Sequence, residues 1–152
     1  MIVADIMTEA SVADTPRDTL RAAATRMWRQ QTGSLLIMDR DRLVGILTER
    51  DLLRAVARGE DVDATRVDEV MTTKIHTVAP EAPLQETARL MAVHWVRHLP
   101  VVKDDKVVGV VSQRDLVGIL AALGPSTQGV ELPSDQLVRA RRLARIEHGD
   151  LD

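Results

Sequence analysis

Apolar residues along the chain fall into runs of two kinds. In the first kind they recur at three- and four-residue intervals: Leu20, Ala23, Ala24 and Met27, then Leu84, Ala88, Met91 and Trp95. That spacing places them on one face of a helix. In the second kind they are short and almost continuous: Leu35–Met38 with Leu43–Leu47, and Leu99–Val102 with Val107–Val111. These runs are rich in β-branched residues and are parted only by polar stretches, Asp39–Arg42 and Lys103–Lys106. They predict two β-hairpins covered by helices on at least one face, although neither turn carries the Asn-Gly pair that marks the tightest hairpins. Helical spacing resumes at Thr48, through Leu52, Leu53 and Val56, and at Ser112, through Leu116, Val117, Ile119 and Leu120. Short segments ahead of each first helix, Ser11–Ala13 and Ile75–Val78, predict a strand, followed by turns at Pro16 and Pro80. Pro83 suits a first helical position, where its missing N–H costs nothing.

The two sets of elements are copies of each other. Residues 3–57 fall on 67–121 without a gap, and fifteen of the 55 aligned pairs are identical. Met7-Thr8 matches Met71-Thr72, Val44-Gly45 matches Val108-Gly109, and Arg50-Asp51-Leu52 matches Arg114-Asp115-Leu116. Each copy therefore predicts β-α-β-β-α, an α/β fold of two pseudo-symmetric units. A unit near 60 residues buries too little surface to be secure alone, so the copies are expected to share a core. The division is 1–61, 62–123, and a tail over 124–152. In that tail Gly124, Pro125 and Gly129 break the pattern, and Ser134 is placed to cap a last helix over 135–147.

Composition narrows the picture. The core must be aliphatic, because there is no Phe or Tyr and only two Trp, Trp28 and Trp95. With no cysteine there is neither a disulfide framework nor a thiolate site. No apolar run approaches the roughly 20 residues of a membrane span, and the first residues do not read as a signal peptide. A net charge of −3 argues against general nucleic-acid binding. A cytoplasmic protein with no membrane association is expected.

The strongest chemical signal occurs twice: Gly45-Ile-Leu-Thr48-Glu-Arg-Asp51 and Gly109-Val-Val-Ser112-Gln-Arg-Asp115. Hydroxyl, two residues, carboxylate before an apolar run is a helix capping box. The same helix N-terminus favours anionic or hydroxyl-rich ligands, and a first-turn carboxylate can accept two hydrogen bonds from a ribose diol. The repeated Met-Thr segment, the strand Leu99-Pro100-Val101-Val102 and the paired motif resemble tandem CBS domains, the unit named after cystathionine beta-synthase. The resemblance covers about residues 1–122.

That resemblance implies two clefts between the copies that take adenosine nucleotides. The hydroxyl and carboxylate of one copy would hold ribose, and strand starts of the other would hold base and phosphates. One cleft would use Ser112 and Asp115 with Val12 and Gly33. The other would use Thr48 and Asp51 with His76, Arg97 and His98, and its cations make it the better phosphate site. Thr32 and Val96 stand where some family members carry a stacking aromatic, which implies aliphatic packing around the base. Arg50 and Arg114 read as exposed first-turn arginines, or else as phosphate contacts or dimer-pairing residues.

The expected function is a regulatory module that binds AMP, ADP or ATP and signals by a conformational shift to a partner protein. It would need no cofactor, and the resemblance implies a homodimer. The other reading is an interaction module without a nucleotide ligand. His94 and His98 lack a third metal ligand. No nucleophile–base set emerges, so catalysis is not expected.

Overall fold

The computed structural model of the chain describes residues 1–9 and 13–123. Val12, Ser134 and the expected helix over 135–147 lie outside the described residues. The chain divides into two compact units, Met1–Ile119 and Leu120–Asp152, and the site lies in the first.

Each copy opens with one helical turn, a 3-10 turn Val3–Asp5 in the first and α3 (Val67–Val70) in the second. The first copy continues through β1 (Thr8–Glu9), β2 (Ala13–Asp14), α1 (Leu20–Gln30), the hairpin β3 (Ser34–Asp39) and β4 (Arg42–Thr48), and α2 (Glu49–Ala57). The second continues through α4 (Leu84–His94), the hairpin β5 (His98–Lys103) and β6 (Lys106–Ser112), and α5 (Gln113–Leu123). Both hairpins are antiparallel and carry a register irregularity at the matched places Ile37/Met38 and Val101/Val102. The second hairpin turns through Asp104 and Asp105, both with positive φ. Aspartate tolerates that conformation, so the turn forms without Asn-Gly.

The copies exchange their opening segments. Strand β1 runs antiparallel to β6 of the other copy, with Thr8 opposite Val110 and Glu9 opposite Gly109. In the mirror arrangement Thr72 bridges Ile46 of the first copy through two 3.0 Å backbone hydrogen bonds. This explains the repeated glycines and the repeated Met-Thr. A Cβ on Gly45 would overlap the Met71 sulfur, and one on Gly109 would lie 2.7 Å from the Thr8 carbonyl oxygen and 2.9 Å from the Met7 sulfur. Only glycine lets the exchanged segment lie so close to the hairpin.

The cores follow the exchange. Val67, fully buried, packs with Leu20, Leu35, Ile37 and Leu47 of the first copy. Val3, fully buried, packs with Leu99, Val101 and Val111 of the second. Each such valine contributes about 1.5–3 kcal/mol of burial to the other copy's core. The expected shared core thus takes the form of two cores, each completed by a turn of chain from its neighbour. The boundaries drawn along the sequence cut across both.

The α1 helix is capped by Thr19, whose hydroxyl accepts from the Ala22 N–H, and both α1 and α4 end in a left-handed residue, Gln31 and Trp95. The buried face of α4 differs from the one the spacing predicts. Thr87, 1% exposed, occupies the place of Ala23, while Ala88 is exposed and Trp95 stands past the helix end. Threonine is tolerated there because its hydroxyl donates to the Pro83 carbonyl at 3.0 Å. Leu53 and Val56 on α2 and Val117 on α5 are also exposed, where the spacing reads as buried.

Candidate functional site

An antiparallel hairpin brings its first and last residues together. Ser34 therefore lies opposite Thr48, and His98 opposite Ser112. The junction is closed by Glu49 N–H donating to Gly33 O at 3.1 Å, and by Gln113 N–H donating to Arg97 O at 2.8 Å. Each motif thus sits beside the first strand residues of its own hairpin.

Both motifs form the capping box. The Thr48 N–H and hydroxyl donate to Asp51 Oδ2 at 2.7 and 2.8 Å. The Ser112 N–H and hydroxyl donate to Asp115 Oδ2, both at 2.7 Å. The remaining carboxylate oxygens differ. Asp51 Oδ1 accepts from the Arg54 guanidinium at 2.8 Å, and the same guanidinium reaches the Val70 carbonyl at 3.5 Å. Asp51 is 3% exposed. The residue matched to Arg54 is Gly118, and Asp115 Oδ1 has no hydrogen-bond partner among the described residues.

Asp115 opens onto a cleft of about 800 Å³. Its walls from the second copy include Ser112, Arg114, Arg97 and His98; those from the first include Gly33, Glu49 and Trp28. Arg97 reaches across the copies to Glu49 at 3.8 Å. His98 packs so close to Gly33 that a Cβ there would meet its ring at 3.4 Å. Burial, and after it the Arg97 charge, holds the His98 imidazole below its ordinary range, against the opposing pull of Glu49 and Asp115. It is therefore neutral near pH 7, so the expected pair of cations at this place is one cation, Arg97, beside a neutral imidazole.

The structure gathers six of the expected site residues on this cleft: Gly33, Arg97, His98, Ser112, Arg114 and Asp115. Thr48, Asp51 and His76 do not line it. The expected grouping of Arg97 and His98 with Asp51 gives way to the hairpin register, which sets them beside Ser112. His76 instead stacks on His94, ring centroids 3.7 Å apart, and burial holds it below the ordinary imidazole range. Val12 lies outside the described residues. The expectation of purely aliphatic walls changes as well, because Trp28, 77% exposed, lines the cleft. Its place on or beside the helical stripe reads as core or interface packing ahead of ligand stacking; a signal for the latter is that its matched residue, Ala92, is small. Glu49 also went unread, since it lies between the two recognised motif positions.

Residues 3–58 and 67–122 each match the model of the CBS domain family. The chain belongs to that family. As a CBS pair it is similar to the CBS domain-containing protein YhcV of Bacillus subtilis, 36% identical over 115 residues that make up 75% of this chain and 81% of that one. Its structure is similar to the CBS domain pair of protein MJ0100 in complex with 5'-methylthioadenosine and S-adenosyl-L-methionine, at TM-score 0.76 and 26% identity, covering 81% of this chain and 98% of that one. It is also similar to Hypoxic Response Protein I with two coordinated zinc ions, at TM-score 0.68 and 33% identity, covering 78% and 98%. This CBS pair has no cysteine, and among its described residues no group of three or more His, Asp or Glu side chains is arranged to hold a metal ion. No described helix is long and apolar enough to cross a membrane.

Proposed function

We propose that this CBS pair is a regulatory module that binds an adenosine-containing ligand in the Asp115 cleft. One observation carries the reading: among the described residues Asp115 keeps a carboxylate oxygen unengaged at the edge of a roomy cleft while its other oxygen is fixed by Ser112. A ribose diol donates to such an oxygen in charge-assisted hydrogen bonds. Trp28 offers a face to the base. Arg97 and Arg114 meet the anionic end. The bound adenosine compounds of the MJ0100 pair support the ligand class.

Charge ranks the ligands. Once Asp115 is given to ribose, the walls hold two arginines and two glutamates, Glu9 and Glu49. That balance suits one compact anionic group better than a triphosphate, so AMP ranks ahead of ADP and ATP. Signalling follows from the same contacts. A phosphate arriving at Arg97 takes the place of Glu49, and the 3.8 Å link between the copies is exchanged for a link through the ligand. The ligand then favours one relative setting of the copies, which a partner protein reads. The module itself is non-catalytic, needs no cofactor and works in the cytoplasm. The exposed apolar residues Leu53, Val56, Val93 and Val117 suit a homodimer.

Calorimetric titration of ligand-stripped protein with AMP, ADP, ATP and S-adenosylmethionine tests this. Saturable binding of AMP or a close relative is expected. Flat titrations across the panel would overturn it in favour of an interaction module without a nucleotide.

A further inference from the structure

We propose that Arg54 closes the first copy's version of the ribose site, so that the module takes one ligand per chain, and that the choice between one site and two is made at a single matched position, 54 in one copy and 118 in the other. The inference rests on the adenosine-binding reading above. In both copies the hydroxyl and backbone of the capping residue occupy one carboxylate oxygen. A diol needs the other oxygen. In the first copy the Arg54 guanidinium already holds it at 2.8 Å, and the carboxylate is 4% exposed against 22% for the arginine. Replacing that contact would strip a nearly buried carboxylate of its cation, and a neutral diol cannot return the charge.

In the second copy the same helical place holds Gly118. Residues three apart on a helix are neighbours, so position 118 stands over Asp115 as position 54 stands over Asp51. A Cβ built on Gly118 meets nothing within 4 Å, so the space for a longer side chain exists. The vacancy is therefore a matter of residue choice and is open to exchange between the copies.

The test is ligand stoichiometry by calorimetry with AMP and S-adenosylmethionine on three proteins: the natural chain, Arg54→Ala and Gly118→Arg, with Gly118→Ala as control. The natural chain is expected to bind one ligand per chain. Arg54→Ala gains a second site, which a further Asp51→Asn removes. Gly118→Arg loses affinity at least about tenfold, whereas Gly118→Ala keeps it, since alanine cannot reach Asp115. Two ligands on the natural chain, or one on both the natural chain and Arg54→Ala, would overturn the inference and leave the binding reading standing. Absence of binding by every protein would overturn both. Should Arg54→Ala fail to fold, Gly118→Arg decides, and unchanged affinity there counts against the proposal.

Discussion

Asp51 and Asp115 end the same seven-residue motif, cap the same kind of helix and accept the same two bonds at nearly the same distances, yet Asp115 lines the cleft of about 800 Å³ and Asp51 does not. What separates them is a turn of helix away. Arg54 spends itself on Asp51, and Gly118 leaves Asp115 open. Both copies make the cap, which satisfies backbone N–H groups at each helix start whether or not a ligand binds there. A motif of this kind is therefore evidence for a helix start wherever it occurs, and evidence for a site only where the carboxylate's second oxygen is unengaged.

The largest expected effects come from treating the two aspartates alike. Asp115→Ala lowers affinity for AMP about tenfold to a hundredfold, the scale of hydrogen bonds to a charged group. Asp51→Ala leaves affinity within about twofold but destabilises the fold by about 1.5–3 kcal/mol, because the charged hydrogen bond between Arg54 and the nearly buried Asp51 is lost. Titration calorimetry and urea unfolding of both variants separate these outcomes. Equal losses of affinity in both would erase the distinction between the copies.

Next in size is a pair of changes expected to act equally. Gly45→Ala and Gly109→Ala each push a methyl group into an exchanged Met-Thr segment, at a cost of about 1–3 kcal/mol in stability. A large difference between them in thermal unfolding would mean that the two exchanges do not bear the same load. Trp28→Ala sharpens the comparison from the ligand side. Loss of base stacking lowers affinity about tenfold, and the ligand-dependent change in tryptophan fluorescence disappears with it. Trp95→Ala keeps both.

The smallest effects are those of pH. An anion bound near His98 favours the imidazolium that burial and Arg97 now suppress. Affinity for AMP should therefore rise as pH falls below neutrality, with proton uptake on binding, and His98→Gln should flatten the trend. Stability has its own signature in the first copy. Burial, and after it the hydrogen bond with Asp18, pushes the Asp14 carboxyl up from 3.8 to about 6. A raised carboxyl contributes stability that is fully present below about 3.8 and is lost as pH rises through about 6. Asp14→Asn removes that decline, read as the difference in melting temperature between the two proteins across this range.

Much of this was legible in the chain. Hairpins, helices and the pairing of copies follow from periodicity and from the 64-residue shift, and the hydroxyl–carboxylate motif names its own helix starts. The exchange of opening segments was not legible, because nothing local to Met7-Thr8 says which hairpin it will cover; Gly45 and Gly109 mark the close approach but not what approaches. The site was half legible. Ser112 and Asp115 stand out by repetition, and an antiparallel hairpin already requires residue 98 to lie near residue 112. Trp28 is ambiguous in the sequence, because a tryptophan on or beside a helical stripe reads as core or interface packing ahead of ligand stacking. The decisive contrast, Arg54 against Gly118, falls outside the motif, where the two copies are free to differ.

The most direct test of the account is a crystal structure of the chain grown with AMP. One ligand per chain is expected, its ribose hydroxyls on Asp115 Oδ1 and its phosphate on Arg97, with Glu49 displaced. A nucleotide seated on Asp51, with Asp115 empty, would contradict it.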